Sequence, residues 1–347
     1  MSGFLVLEDG SLFRGRSVGA LGIAYGEAVF TTAMTGYQEV ATDPSYAAQL
    51  VAFTAPMVGN YGVSPTRSES QRAHARAVLM RRATGEEWPR WLAAQGVVAL
   101  EEIDTRSLVL RLRERGAMRA AAVAGQASVA EVLGRVRAQA PMEGLALVEA
   151  VSTPKPYRVG RGPVRVAVLD YGCKRSIFSR LNACGAQATV FPHDADAETI
   201  LASNPAGVLL SNGPGDPAAL PEEVAVVREL LGRVPVLGIC LGHQLLALAA
   251  GLTTFKLPFG HRGANHPVLE LATSRVLVTS QNHGFAVAGD GPAVTHVSLY
   301  DGTVEGIALP GERARSVQFH PEAGPGPHDA WPLLEAWVEE LRYAEAA

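Results

Sequence analysis

Cys240 lies between two glycines, in Gly238-Ile239-Cys240-Leu241-Gly242, where the apolar run Val234–Ile239 meets a helix-like run. This is the layout of a nucleophile elbow, a tight strand-to-helix turn that holds a reactive side chain out of a sheet. The flanking glycines fit it because a side chain there would crowd the turn. The following helix would aim its unpaired N–H groups at the sulfur, an arrangement that favours a nucleophilic thiolate. A thiol nucleophile needs a base, and the base needs an orienting group. His320-Pro321-Glu322, just after the β-like run Arg315–Phe319, supplies an imidazole and a carboxylate that a proline can direct from one strand end. Acyl transfer also needs donors for the developing oxyanion. The N–H of Leu241 is the natural first donor, and Gly213 in Asn212-Gly213-Pro214-Gly215-Asp216 is a candidate second. An ordinary turn after a strand remains the alternative reading of that glycine-rich loop.

The elements that must position these residues alternate between strand and helix. Strand-like runs at Val164–Leu169, Ala188–Phe191, Gly207–Leu210 and Val234–Ile239 are separated by helical patterns at Lys174–Cys184, 196–203 and Glu222–Leu231. Buried strands alternating with helices predict an α/β fold, a mostly parallel sheet with helices on both faces. Ligands in such sheets sit beyond the carboxyl ends of the strands. Asp170-Tyr171-Gly172, the Ser211–Asp216 loop and Cys240 all fall at such ends. Residues 1–150 have another texture: short alternating runs such as Phe4–Leu7 and Ala28–Phe30, then helical patterns at Glu69–Arg82, Thr105–Arg115 and 128–138, the last capped by Ser128. They are expected to form a smaller α/β N-terminal domain. The Pro/Gly-rich stretch 151–163 reads as a linker to a second domain, 164–347.

Composition narrows the chemistry. The chain has 347 residues, 48% hydrophobic and 18% charged, enough for two domains with ample cores. The net charge of −4, with no basic block, disfavours nucleic-acid binding. No apolar run reaches a membrane-spanning length and the N-terminus lacks a signal-peptide layout, so a cytoplasmic location is expected. Cys173, Cys184 and Cys240 form no disulfide framework, and Cys173 and Cys184 read as packing residues. There is no Walker-type phosphate loop, and His261-x4-His266 reads as part of a glycine-rich structural loop, so neither cofactor nor metal is expected in this chain.

Gly-Ile-Cys-Leu-Gly-His-Gln, Ser-Asn-Gly-Pro-Gly-Asp-Pro and His-Pro-Glu together resemble the class I (triad-type) glutamine amidotransferase domain. Further segments are similar to the family of small, glutamine-hydrolysing subunits of carbamoyl-phosphate synthetases. Among them are Met34–Glu39, Thr42–Tyr46, Gly59–Gly62, Ile103–Arg106, Gly260–Pro267, Gln281–Phe285 and Pro325–Ala330. The resemblance runs over nearly the whole chain. It implies that Cys240 attacks the side-chain amide of L-glutamine, with His320 shuttling protons and Glu322 orienting it, through a glutamyl thioester. Gly213, Gly215 and Leu241 would line the oxyanion and substrate pocket, Gln244, Asn282, Gly284 and Phe285 would hold the glutamine, and Ser45 would reach its α-amino and carboxylate end from the N-terminal domain. The partner implied is a large subunit, carrying ATP and Mg, that receives ammonia through a tunnel and makes carbamoyl phosphate from bicarbonate for pyrimidine and arginine synthesis. The Val63–Trp91 region is shorter than usual for the family, and Gly324 stands where serine is common. Three other readings compete: a glutaminase component of anthranilate or GMP synthesis, which would lack residues 1–150; a non-catalytic scaffold, against which the intact Cys240, His320 and Glu322 argue; and a cysteine peptidase, which would not need the Gln281–Phe285 segment.

Overall fold

Strand residues of the N-terminal part alternate between two apolar environments, the period-two consequence of the β pleat. Leu5, Leu7, Ala28, Phe30, Leu50, Ala52, Leu79, Leu100, Ala120 and Ala122 point to one shared core. Their neighbours Val29, Val51 and Val78 pack on another, with Tyr37, Trp88 and Leu92. Seven strands carry this pattern: β1 (Ser2–Leu7), β2 (Leu12–Ser17), β3 (Gly22–Thr31), β4 (Gln49–Phe53), β5 (Ala77–Leu79), β6 (Val98–Glu101) and β7 (Met118–Ala124). They close into a barrel of order β1-β2-β6-β5-β4-β3-β7, with β3, β4, β5 and β6 paired in parallel. Helices α1 (Tyr37–Thr42), α2 (Glu87–Ala94), α3 (Thr105–Arg115) and α4 (Val129–Ala138) accompany it. Leu108 and Leu112 of α3 join the first core. Ser128 accepts the Glu131 N–H as the cap of α4.

The structure is a computed structural model describing residues 1–346, and the chain divides into two units. The first comprises Met1–Glu143 with Leu257–Gly263; the second comprises Gly144–Lys256 and the chain from Ala264 onward. The second unit contains β8 (Tyr157–Val159), β9 (Val164–Asp170), α5 (Arg175–Ala183), β10 (Ala186–Pro192), α6 (Ala197–Ala202), β11 (Gly207–Leu210), α7 (Pro221–Leu230), β12 (Val236–Ile239) and α8 (Leu241–Ala249). Next come β13 (Thr253–Glu270), part of which falls in the first unit, then β14 (Arg275–Ala288), β15 (Val294–Ser298), β16 (Val304–Leu309), β17 (Ala314–Val317) and α9 (Trp331–Ala346). The sheet order is β14-β13-β15-β16-β17-β12-β11-β9-β10-β8. Its centre, β10-β9-β11-β12-β17, is parallel throughout. Cores lie on both faces, one built around α7 and α8 and the other around α5 and α9. Among the described residues, no helix is long and apolar enough to cross a membrane.

Four expectations need correction. Glu69–Arg82 is not a helix: Ala77-Val78-Leu79 is strand β5, fully buried between β4 and β6, and tertiary pairing overrides the helical spacing of its arginines. The stretch 151–163 is not a free linker, because Tyr157–Val159 pairs antiparallel with β10. Its Gly162 serves close packing, since a Cβ there would lie 2.1 Å from the Gly185 carbonyl oxygen. The change of unit therefore falls earlier, between Glu143 and Gly144. Finally, Gly260–Pro267 is not a loop but part of the long strand β13.

Candidate active site

Cys240 occupies the N-cap position of α8 with φ 55° and ψ −104°, left-handed backbone that a non-glycine residue adopts only when its surroundings demand it. The surroundings do. A Cβ on Gly242 would lie 2.2 Å from the Leu210 carbonyl oxygen, and one on Gly238 would lie 2.5 Å from the Gly242 carbonyl oxygen. Both glycines are therefore required by backbone-to-backbone approach, α8 being seated directly on β11 and β12. The turn is fastened by Cys240 N–H to Val317 C=O at 2.9 Å and Gly242 N–H to Ser211 C=O at 3.0 Å. The thiol is 2% exposed and its Sγ lies 3.6 Å from the Asn282 carbonyl oxygen.

His320 follows β17, the parallel neighbour of β12, so the sheet itself brings it to the elbow. Its backbone N–H donates to Ser280 C=O at 2.9 Å, and its ring Nδ1 lies 2.6 Å from Glu322 Oε1. With Nδ1 engaged, Nε2, which is buried and makes no hydrogen bond in this arrangement, is the nitrogen left for the Cys240 thiol. His243, in the same motif as Cys240, is occupied elsewhere: its Nδ1 is 2.8 Å from Ser316 Oγ, and complete burial pushes its pKa down to about 3. That separates the candidate base from the neighbouring histidine.

A third buried group completes the array. Lys174, at the N-cap of α5 and 2% exposed, places its Nζ 2.8 Å from the same Oε1 of Glu322. Burial disfavours the charge on Glu322, but Lys174 and then His320 outweigh it and hold the carboxyl well below the usual carboxylate range. Burial likewise opposes charge on His320, and Lys174 opposes it too. The adjacent Glu322 carboxylate prevails, and the imidazole is held well above its ordinary range. The arrangement is a buried cation–anion–cation line ending beside a thiol.

The loops after β9 and β11 are laced together under this line. Tyr171 N–H donates to Ser211 Oγ, Lys174 N–H to Asn212 Oδ1, and Asn212 Nδ2 to Gly172 C=O, at 2.9, 3.1 and 3.0 Å. Gly213 is pressed between Tyr171 and Leu241: a Cβ there would meet the Tyr171 carbonyl oxygen at 2.2 Å and Leu241 Cδ2 at 2.8 Å. The glycine-rich loop thus abuts the residue whose N–H follows the nucleophile, and the arrangement goes beyond that of an ordinary turn.

Of the residues expected to hold glutamine, Gln244, Asn282, Gly284 and Phe285 converge on α8 and β14. Gln244 Nε2 donates to Phe285 C=O at 2.8 Å and to Gln318 Oε1 at 3.0 Å, so both of its amide hydrogens are already used. His283 Nδ1 lies 2.7 Å from the same Phe285 oxygen. Ser45 belongs to the first unit, in the 3₁₀ turn Pro44–Tyr46, where its N–H donates to Asp43 Oδ1 at 2.9 Å. Gly324 precedes Pro325, whose carbonyl oxygen accepts the Ser280 hydroxyl at 2.8 Å.

Sequence reasoning did not single out Lys174, which looked like the start of a helix. A signal existed: the chain carries 27 arginines and three lysines, and this lysine directly follows a strand-end Asp-Tyr-Gly-Cys. Arginine's rigid fork does not substitute for a compact ammonium at a buried point contact. Missing from the sequence was its target, 148 residues away along the chain.

Comparison with known proteins bears on both units. A family model described as "Glutamine amidotransferase class-I" matches residues 167–339, and one described as "Carbamoyl-phosphate synthase small chain, CPSase domain" matches residues 5–122. Proteins named "Carbamoyl phosphate synthase small chain" are similar end to end. The one from Symbiobacterium thermophilum is 48% identical over 354 residues, 96% of each chain. That from Chlorobaculum tepidum is 46% identical over 352 residues, again 96% of each, and that from Thioalkalivibrio sulfidiphilus 44% over 366 residues, 97% of each.

Proposed function

Because the chain belongs to the carbamoyl-phosphate synthase small-chain family and carries a class-I glutamine amidotransferase domain, we propose that it is the glutaminase of a two-subunit synthase. In this reading it releases ammonia from L-glutamine, with Cys240, His320 and Glu322 as the reacting array. The observation that carries the reading is the meeting of the Cys240 elbow with the His320–Glu322 pair at adjacent ends of β12 and β17.

The geometry supports the following course. Cys240 reacts as the thiolate, its Sγ proton having passed to His320: Sγ bonds to the carboxamide carbon, and the carbonyl electrons move to oxygen, where the N–H groups of Leu241 and the Gly213 loop can meet them. His320, held protonated by Glu322, gives its proton to the departing nitrogen, and ammonia leaves as the glutamyl thioester forms. Water then attacks the thioester with His320 as base, the carbon–sulfur bond breaks, and glutamate is released with the thiolate–imidazolium pair restored. Gln244, Asn282, Gly284, Phe285 and Gly215 would bind the substrate's other groups. The ammonia is consumed by a large partner chain that supplies the ATP and Mg chemistry, with carbamoyl phosphate as the product for pyrimidine and arginine synthesis.

The test is Cys240→Ser in the complex with the large chain. Glutamine-dependent carbamoyl-phosphate synthesis should vanish while ammonia-dependent synthesis persists. Glutamine-driven turnover surviving in that variant would remove Cys240 from the role of nucleophile.

A further inference from the structure

The loop after β11 is held from outside the sheet by the segment Gly144–Thr153. Gly144 N–H donates to Asp216 Oδ2 at 2.8 Å, and Asp216 N–H donates to the Leu145 carbonyl oxygen at 2.9 Å. Ala146 and Gly215 form an isolated antiparallel bridge. Gly215, at φ +96°, lies so close that a Cβ would meet the Leu145 carbonyl oxygen at 2.6 Å and Leu147 N at 3.2 Å. The segment is itself anchored. Val148, 1% exposed, enters the core containing Tyr171, Leu210, Leu220 and Leu241. Further on, Thr153 N–H donates to Asp170 Oδ2 at 2.8 Å, and Ser152 Oγ accepts the His193 N–H at 3.0 Å. The strap therefore crosses the carboxyl ends of β10, β9 and β11, the edge at which ligands of such sheets bind.

Asp216 is the joint between strap and loop. It is 8% exposed, and its two oxygens are divided: Oδ2 takes the strap's Gly144 N–H and Oδ1 takes Ala218 N–H at 2.9 Å, capping the 3₁₀ turn Pro217–Ala219. Gly213 is fixed by Tyr171 and Leu241, whereas the three atoms nearest a Cβ on Gly215 all belong to the strap. We propose that Asp216 is a positioning residue for glutamine binding, acting through Gly144–Leu147 to set the backbone of Gly215. The inference rests on the reading of this site as a glutaminase and deepens it by assigning what holds the substrate side of the loop.

Asp216→Asn isolates the effect. Asparagine caps helical turns as well as aspartate, so it can keep the Ala218 bond while turning an amide NH₂ toward the Gly144 N–H. In the full complex, Asp216→Asn should raise KM for glutamine about tenfold with kcat changed by less than about threefold, the pattern of lost binding common to the ground and transition states. Ammonia-dependent synthesis and the rate of Cys240 alkylation should match the unsubstituted protein. Val148→Ala, which weakens the strap's buried anchor, should raise KM in the same direction. A folded Asp216→Asn with KM within about twofold of the unsubstituted value overturns the proposal, as does a fall in kcat with Cys240 alkylation altered. If Asp216→Asn does not fold, an unchanged KM in Val148→Ala overturns it equally. Absence of glutamine hydrolysis in the unsubstituted complex would instead sink the glutaminase reading itself.

Discussion

Lys174 Nζ lies 2.8 Å from Glu322 Oε1, the same oxygen that receives His320 Nδ1 at 2.6 Å, while Glu322 Oε2 has no hydrogen-bond partner. One carboxylate oxygen thus serves two buried cations. Lysine and histidine compete for it, so the lysine tunes the histidine as well as anchoring the glutamate.

Replacing Lys174 should expose that competition. In Lys174→Met, Glu322 loses the largest influence holding its carboxyl down, so it protonates at higher pH. The acid limb of the glutaminase pH profile should move upward, and kcat should fall by about one to two orders of magnitude for a displaced orienting group. Ammonia-dependent synthesis in the complex should not change. An unshifted acid limb would reduce Lys174 to a packing role.

The pair also predicts a pH dependence of stability, with opposite signs for its members. Glu322, lowered from 4.5, contributes stability that is present above that value and lost as pH falls through the folded value. His320, raised from 6.5, contributes stability that is complete below that value and fades as pH rises toward the folded value. Both contributions are full between 4.5 and 6.5. Denaturant unfolding of Glu322→Gln should show its largest deficit in that window, about 3–5 kcal/mol for breaking a buried pair. The deficit should shrink in alkaline solution, and a gap independent of pH would contradict the assignment.

Glycines of the elbow should behave unlike glycines that serve only turns. Gly242→Ala drives a Cβ into the Leu210 carbonyl, backbone that cannot yield, and should cost about 3 kcal/mol or more together with the glutaminase activity. Gly251→Ala, at φ +86° with nothing within 4 Å, carries only conformational strain, about 1 kcal/mol. Thermal unfolding of the two variants checks the contrast.

A large-chain partner predicts coupling between the two proteins. The isolated chain should hydrolyse glutamine slowly and accelerate when the large chain is added with its substrates. Equal rates with and without the partner would show that the site is already complete.

Much of this was readable along the chain because it depends on neighbours in sequence. The glycine spacing around Cys240, the Ser128 cap, and the exact run Gly207–Leu210 as a buried strand are local facts, and the structure reproduces them. Ala77–Leu79 misled because the four apolar residues between Arg76 and Arg81 fit either period, and only the burial of Ala77–Leu79 between β4 and β6 decides. Residues 157–159 misled because proline and glycine signal turns without saying whether the residues between them pair.

By itself, the sequence determined the chemistry available: a thiol at a strand-to-helix turn, a His-Pro-Glu segment that can hold an imidazole, and a parallel sheet with its motifs at the carboxyl ends. Tertiary structure alone decided which groups meet. The parallel pairing of β12 with β17 carries His320 to Cys240, and the lacing of the β9 and β11 loops delivers Lys174 to Glu322. The reason is physical. Local propensity is written in spacing, whereas the protonation state of a buried imidazole is set by charges brought within 3 Å of one another from elements far apart in the chain.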